Sequence, residues 1–348
     1  MVQGPRHGLT RHHLHGDPTK SMKKTGYILF AAGLSAFVAI LVYFGIDDVF
    51  RALELAGWGL VLVAASHVAP LVLDSIAWQL LFLSRNKPPF WLLMKARWIG
   101  ESINSLLPAA QVGGDLLRAR MLAVRGYPVP QAGASVFVEI TLALVTQLVF
   151  ALVGIGLLLY LGQNTLVKQT AFIVAGMATL CILFILVQKK GFWGKLLNLM
   201  SVLINKDKLS GLALDAESLD IEISRLYHHR MIILHSCFWR LIGWFSGALE
   251  IWIALHFMGA GTGILEAILL ESLGQVVRGV AFLVPGAFGV QEGGFVILGS
   301  VVGLSPEIAL GMSLAKRFRE LSLGIPGLVM WQIDEGRLIM KRSEKKKK

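Results

Sequence analysis

Apolar residues form long, continuous stretches along most of the chain. A helix rises about 1.5 Å per residue, so roughly 20 apolar residues are needed to cross the ~30 Å hydrocarbon core of a bilayer. Six stretches are long enough: residues 25–46, 58–83, 131–160, 169–188, 235–258 and 305–332. The pattern therefore predicts an all-α integral membrane protein with six transmembrane helices.

Two further apolar regions are interrupted. Residues 89–125 and 263–303 contain Pro108 and Pro285, respectively, with glycines close by. Proline removes a backbone donor and breaks a helix, and a break within a bilayer is stable only where protein or water covers the free backbone groups. We therefore expect two re-entrant helical hairpins, each made of two half-helices that line a polar cavity.

The two interrupted regions also align with each other. With Pro108 placed on Pro285, an offset of about 177 residues, span 58–83 falls on the fifth predicted helix. The same offset pairs polar positions: Glu101 with Arg278, Asp115 with Glu292, Gly126 with Gly303, and Glu139 with Lys316. The predicted halves are residues 24–161 and 169–332, each with three crossings and one hairpin. Since three is odd, the second half should be inverted relative to the first, as in many alternating-access transporters.

Composition agrees with a membrane protein and argues against a soluble one. The chain has 348 residues, of which 55% are hydrophobic and only 16% charged, and its mean hydropathy is +0.65. A formal net charge of +11 could indicate nucleic-acid binding, but the basic residues cluster at the ends and between apolar segments. We therefore expect no nucleic-acid partner. Cys181 and Cys237 lie in separate apolar runs, which gives no disulfide or metal-binding pattern.

Lysine and arginine predict the orientation. Segments rich in these residues are expected in the cytoplasm, namely residues 1–24, 84–88, 115–130, 189–230 and 333–348. This arrangement places both termini in the cytoplasm. The expected parts are a disordered tail (1–23), a transmembrane domain (24–332) with a cytoplasmic amphipathic insert (189–230), and a basic tail (333–348). Histidines near the N-terminus could bind a metal, but a tail without a specific role, with Met22 as the possible true start, is the simpler interpretation. No cofactor or metal is expected.

Ionisable and glycine-rich positions near the predicted breaks are the candidate cavity residues. A charge at the bilayer centre costs roughly 2.5–3.5 kcal/mol on insertion scales, so such residues should face a cavity and form pairs. The candidates are Glu101, Asn104, Pro108, Gly113, Gly114, Asp115, Arg118, Glu139, Arg278, Pro285, Gly289, Glu292, Lys316 and Arg317. Simpler roles are open for some residues: Lys316 could neutralise Glu320 one turn later, and Arg240 could extend to the inner interface.

Two segments resemble the signature regions of a known family. They are GESINSLLPAAQVGGDLLRAR, from Gly100 to Arg120, and VPGAFGVQEGGFVILGSVVGL, from Val284 to Leu304. They are similar to the flippase-like family named for the transmembrane region of lysylphosphatidylglycerol synthase, and most similar to its HpnL-type, hopanoid-associated branch. The resemblance covers residues 23–332 and implies a bacterial inner-membrane protein with a lipid-translocase-like fold. The family's third-helix glutamate is often followed by arginine, whereas Ile140 follows Glu139 here.

Three functions fit the sequence. The leading hypothesis is a translocase that moves a hopanoid or phospholipid between leaflets. A second is a non-catalytic membrane partner of hopanoid-biosynthesis proteins. The third, a phosphatidylglycerol lysyltransferase, is disfavoured because we find no P-loop, no Ser/His/Asp or HExxH set, and only a short segment after the last predicted helix. The sequence leaves the lipid, the energy source and the oligomeric state open.

Overall fold

The computed structural model describes most of the chain after the first predicted span. The described residues are 54, 56–83, 87–107, 113–189, 206–281, 287 and 289–347, without the side chains of 189, 206–216 and 338–347. Within these residues the regular structure is helical and contains no strand. The predicted N-terminal tail, the span 25–46, Pro108 and Pro285 lie outside them.

Eleven helices occur in the described part of the chain. They are α1 (Gly59–Ser66), α2 (Val68–Leu80), α3 (Phe90–Leu106), α4 (Gly113–Ala123), α5 (Val129–Tyr160), α6 (Asn164–Lys189), α7 (Lys206–His228), α8 (Arg230–Phe257), α9 (Ile264–Val280), α10 (Val290–Val301) and α11 (Pro306–Lys347). The helices α2, α5, α6 and α8 end within about three residues of the predicted span ends.

Four helical segments are long and apolar enough to cross a membrane: Gly59–Leu80, Val129–Tyr160, Asn164–Gln188 and Arg230–Phe257. They correspond to four of the six predicted crossings. The last predicted span, residues 305–332, corresponds to the first part of α11, whose middle turns carry several buried charges. The first predicted span, residues 25–46, lies outside the described residues, so the full count of six remains a prediction.

Both interrupted regions form pairs of short helices. The helix α3 packs against α4, and α9 packs against α10. At about 1.5 Å per residue, even the 17-residue α3 is shorter than the ~30 Å hydrocarbon core. The helices α3 and α4 approach very closely, because a Cβ atom placed on Gly114 would lie 2.0 Å from the carbonyl oxygen of Gly100. Asn104 Oδ1 accepts a 2.8 Å hydrogen bond from the Gly114 N–H and joins the two half-helices.

The internal repeat is visible in the helix bounds. The starts of α4 and α10, the starts of α5 and α11, and the ends of α2 and α8 are each separated by about 177 residues. The packing follows the same relation: α3 packs on α11, and its counterpart α9 packs on α5. The apolar interior forms two main clusters, one including Trp78 and Val138 and the other including Ile251 and Met312, and each contains residues of both halves. The repeat is therefore structural, while its inversion across the membrane remains a prediction.

One helix presents a largely apolar surface. The helix α6 exposes large apolar side chains, including Phe172 at 82% and Leu180 at 69%. Such a surface is expected to face lipid.

The helix α11 continues past residue 332, the predicted end of the transmembrane domain, as far as Lys347. The domain boundaries themselves remain predictions.

Candidate functional site

Glu139, on α5, is the centre of a buried group of charges. Its side chain is 2% exposed and accepts hydrogen bonds from three arginines. Arg97 comes from α3, Arg118 from α4 at 2.8 Å, and Arg240 from α8. We call this group the first charge cluster, and its members are Asp74, Arg97, Asp115, Arg118, Glu139 and Arg240.

Two aspartates complete the first charge cluster. Asp74 Oδ2, on α2, lies 3.5 Å from Arg97 Nη1 and 3.6 Å from Arg240 Nη1. Asp115 accepts a hydrogen bond from Arg118 one turn later on α4. Arg118 also lies over the ring of Trp78, 4.9 Å from its centroid. The cluster therefore balances three cations with three carboxylates and ties α2, α3, α4, α5 and α8 together.

This arrangement contradicts the snorkelling interpretation of Arg240. Arg240 is only 8% exposed, and its guanidinium group donates a hydrogen bond to Glu139 in the interior. Because the helix α8 begins at Arg230, five residues before the predicted span, Arg240 lies farther from the start of its helix than the sequence indicated.

A second charge cluster lies on α8 to α11. Its members are Glu250, Glu271, Arg278, Glu292, Lys316, Arg317, Arg319 and Glu320. Lys316 Nζ donates to Glu271 Oε2 at 2.6 Å, so the prediction that it pairs with Glu320 is wrong. Glu320 accepts instead from Arg278 at 2.8 Å and from Arg317 at 2.9 Å. Paired in this way, the charges of α11 are compatible with an apolar surrounding.

Glu292 holds the start of α10 in place. Its fully buried carboxylate accepts the Gly289 N–H at 2.7 Å and two Arg317 N–H groups at 3.0 and 3.1 Å. Gly289 has a φ of 76°, a conformation that glycine adopts without strain. Glu292 and Gly289 therefore position α10 against α11, and neither lines the cavity.

A cavity of about 430 Å³ lies where the two charge clusters meet. Side chains from α2, α3, α4, α5, α8, α9 and α11 line it, so both halves contribute. The candidates in its wall are Glu101, Asn104, Asp115, Arg118, Glu139 and Arg278. Its volume is in the range of small-molecule sites, and its wall carries acids, bases and aromatic rings.

Residues 28–327 match the family described as lysylphosphatidylglycerol synthase TM region. The chain belongs to this family. No curated protein and no solved structure matches the chain significantly. Both charge clusters and the cavity lie inside the matched residues, so they are features of the lysylphosphatidylglycerol synthase TM region of this chain.

The remaining candidates lie around the cavity of this family domain, not in its wall. Among the described ones these are Gly113, Gly114, Gly289, Glu292, Lys316 and Arg317. Gly113 and Gly114 start α4, Gly289, Glu292 and Arg317 belong to the contact between α10 and α11, and Lys316 joins α11 to α9. These residues pack the helices together and pair charges, and they thereby position the side chains that face the cavity.

Several cavity residues were absent from the candidate set: His67, Asp74, Arg97, Arg240, Glu250, Glu271, Gln275, Arg319 and Glu320. Most are ionisable residues in apolar stretches, a signal that predicts a polar surrounding for them but does not show which of them face the cavity. Arg97 also stands one helical turn before Glu101 and lies 3.6 Å from it. The arginines around Glu139 come from α3, α4 and α8, which explains how Glu139 is paired although Ile140 follows it.

A separate group of charges joins the end of α11, beyond the matched residues, to the first hairpin. Asp334 accepts hydrogen bonds from Lys95 at 2.8 Å and Arg125 at 2.9 Å, and Glu335 accepts from Arg120. Partial burial would raise the pKa of Asp334, but the hydrogen bonds from Lys95 and Arg125 outweigh it and lower this pKa. The carboxylate form of Asp334 is therefore favoured at neutral pH.

The described residues contain no group of three His, Cys, Asp or Glu side chains placed to hold a metal ion. The histidines near the N-terminus lie outside the described residues.

Proposed function

We propose that this chain is a lipid translocase of the bacterial inner membrane, and not an enzyme. The observation that carries the proposal is the charged cavity, which side chains of both repeat halves line within a family membrane domain. In this proposal the polar headgroup of a lipid enters the cavity while its chains stay in the bilayer. Both termini lie in the cytoplasm.

The charged wall supports this proposal energetically. A headgroup that crosses the hydrocarbon core must exchange its water for other polar partners, because an unpaired polar group there costs several kcal/mol. Glu101 is the most open acid of the wall, with 40% of its side chain exposed, and Arg278 exposes 22%. Glu101 on α3 and Arg278 on α9 belong to different halves, so a headgroup could be passed from one half to the other as the cavity changes its opening.

The lipid is proposed to be a hopanoid or a phospholipid. The hopanoid option rests on the sequence resemblance to the hopanoid-associated branch, and the phospholipid option on the charges of the wall. The principal alternative is a non-catalytic partner of hopanoid-biosynthesis proteins, for which a cavity open to lipid would serve no purpose. A lysyltransferase activity is less well supported and would be detected as lysyl-lipid formed from phosphatidylglycerol and lysyl-tRNA.

The test is a leaflet assay with purified protein in phosphatidylcholine vesicles. Fluorescent phosphatidylglycerol and a fluorescent hopanoid analogue serve as probes, and an impermeant quencher reports the fraction in the outer leaflet. We expect faster exchange of at least one probe than in protein-free vesicles. If neither probe moves faster although the protein is folded, the translocase proposal is wrong and the partner hypothesis is favoured.

A matched pair of variants locates the path of the lipid. Glu101→Gln removes a cavity charge that lies 3.6 Å from Arg97, and we expect exchange to slow roughly tenfold, the equivalent of about 1.4 kcal/mol. Glu222→Gln on α7 is the control, since Glu222 also lies 3.6 Å from its arginine but outside the cavity. Equal rates for both variants would argue that the lipid does not pass through this cavity.

A further inference from the structure

His67 lies at an interruption between α1 and α2. Pro70 lacks the N–H group that would bond to the Ser66 carbonyl in a continuous helix, which accounts for the break. The repeat does not copy this feature: the equivalent of His67 is Trp244, and α8 continues through it without a break. His67 is therefore a feature of the first half alone.

The ring of His67 lies between carboxylates of the two halves. Its Nε2 is 3.6 Å from Glu101 Oε2 on α3, and its Nδ1 is 3.5 Å from Glu250 Oε2 on α8. A neutral imidazole has one N–H and one lone pair, so one of its nitrogens would turn a lone pair toward a carboxylate. Only the imidazolium ion presents an N–H to both. The geometry thus favours the doubly protonated ring.

The charge balance of the interior leads to the same conclusion. Among the described residues, the two charge clusters together with Glu101 contain seven lysine or arginine side chains and eight carboxylates. The cations are Arg97, Arg118, Arg240, Arg278, Lys316, Arg317 and Arg319, and the acids are Asp74, Glu101, Asp115, Glu139, Glu250, Glu271, Glu292 and Glu320. A buried net charge is costly, and an imidazolium at His67 supplies the eighth cation.

The neighbours of His67 show which contact depends on its proton. Besides Glu101 on α3 and Glu250 on α8, the nearby charged groups are those that contact these two acids: Arg97 on α3, and Lys316 and Arg319 on α11. Arg97 in turn contacts Asp74 on α2 and Glu139 on α5. Glu250 has two other cations, Arg319 at 3.1 Å and Lys316 at 4.0 Å. Glu101 has Arg97 at 3.6 Å and is far more exposed. Loss of the His67 proton should therefore weaken the link to Glu101 most.

We propose that His67 is an exchangeable proton-binding site that couples the two halves. When protonated, its ring connects Glu101 of the first half to Glu250 of the second half. When the proton leaves, Glu101 is released into the cavity, and α3 loses this connection to α8. His67 lines the cavity and exposes 21% of its side chain, so protons can reach it from the side to which the cavity opens. A proton gradient would then supply the energy for the proposed transport.

The direct test is nitrogen NMR of the full chain with ¹⁵N-labelled histidine, in lipid bilayers without a transport substrate. The spectrum of His67→Gln, subtracted from that of the wild type, identifies the His67 ring among the nine histidines. We expect both ring nitrogens to be protonated at pH 7 and one to lose its proton at higher pH, with the imidazolium fraction falling about tenfold per pH unit beyond the midpoint. A neutral ring at pH 7, or a ring that stays charged throughout, would overturn the proposal.

The coupling is tested with the leaflet assay under an imposed pH gradient. The gradient should accelerate probe exchange in the wild type. It should not do so in His67→Gln or His67→Lys, because the first variant carries a fixed neutral group at this position and the second a fixed positive group. His256→Gln on α8 is the control and should respond as the wild type does. A gradient effect that persists without His67 would refute the coupling. The inference goes beyond the proposed function, and the two can fail separately. If His67 titrates as expected but the protein moves no lipid, the proton-binding site is confirmed and the translocase proposal is wrong.

Discussion

Glu139 illustrates how a single buried carboxylate can organise a charged interior. Two carboxylate oxygens offer about four lone-pair positions, and three guanidinium groups occupy most of them. Buried pairs of this kind contribute little net stability compared with apolar packing, but removal of one partner leaves an uncompensated charge and is strongly destabilising. Glu139 is therefore expected to be essential for the folded state as well as for the shape of the cavity.

Glu139→Gln should lower the free energy of unfolding by about 3–5 kcal/mol, because three arginines lose their common anion. Thermal unfolding in mild detergent measures the effect, with Glu222→Gln as a variant at which little change is expected. Combining Glu139→Gln with Arg118→Leu removes one of the stranded cations and should recover part of the loss. A Glu139→Gln protein as stable as the wild type would show that the first charge cluster is not held by this carboxylate.

At the residue scale, the sequence predicts which residues are buried charges better than it predicts their partners. Glu139 could be identified because an acid within an apolar helix must find a polar environment. Arg240 was misjudged because the predicted span starts at residue 235, whereas α8 begins five residues earlier with a turn that is apolar after Arg230. The pairing of Lys316 with Glu271 depends on how α9 packs on α11, which local spacing does not contain.

The hairpin of α3 and α4 is the element that most depends on glycine. The backbone of Gly114 contacts the Gly100 carbonyl so closely that no side chain fits between the two helices. This contact sets the direction in which α4 carries Asp115 and Arg118 to the cavity. The apolar pattern predicted two half-helices here, and the glycine pair indicated close approach. How closely the two backbones approach could be seen only in the tertiary structure.

Gly114→Ala should destabilise the protein by roughly 1–3 kcal/mol and slow lipid exchange, because α3 and α4 must separate to admit the methyl group. Gly156→Ala on α5 is a matched control, since a Cβ there meets nothing within 4 Å and alanine favours a helix. Thermal unfolding and the leaflet assay should both separate the two variants. If Gly114→Ala matches Gly156→Ala in both measurements, the close hairpin contact has no role in shaping the cavity.

For the elements in general, helix ends that coincide with the ends of apolar runs were predictable, as for α5 and α8. The C-terminal part of α11 was not, because its charged residues suggested a separate tail. In the structure Asp334 and Glu335 instead bind basic residues of α3, α4 and the turn that follows α4. Such a contact between distant segments stabilises a helix whose own composition is polar. The periodic pattern of the sequence does not predict this contact.

At the scale of the whole molecule, the account depends on a cavity that two related halves share. The shared offset of helix bounds and the reciprocal packing of α3 on α11 and α9 on α5 make each half incomplete without the other. A rocking motion of one half against the other would open this cavity first to one leaflet and then to the other, which is the step that lipid translocation requires.

The most direct measurement of this claim is the accessibility of the cavity from each side of the membrane. In a background with Cys181 and Cys237 replaced by alanine, Ser105→Cys places a thiol in the cavity wall, and Ser224→Cys on α7 is the one-sided control. An impermeant thiol reagent is applied to sealed vesicles from the outside or enclosed within them. The account predicts that the thiol at position 105 reacts from both sides and the thiol at 224 only from the cytoplasmic side. Reaction of position 105 from a single side would contradict alternating access and the translocase built on it.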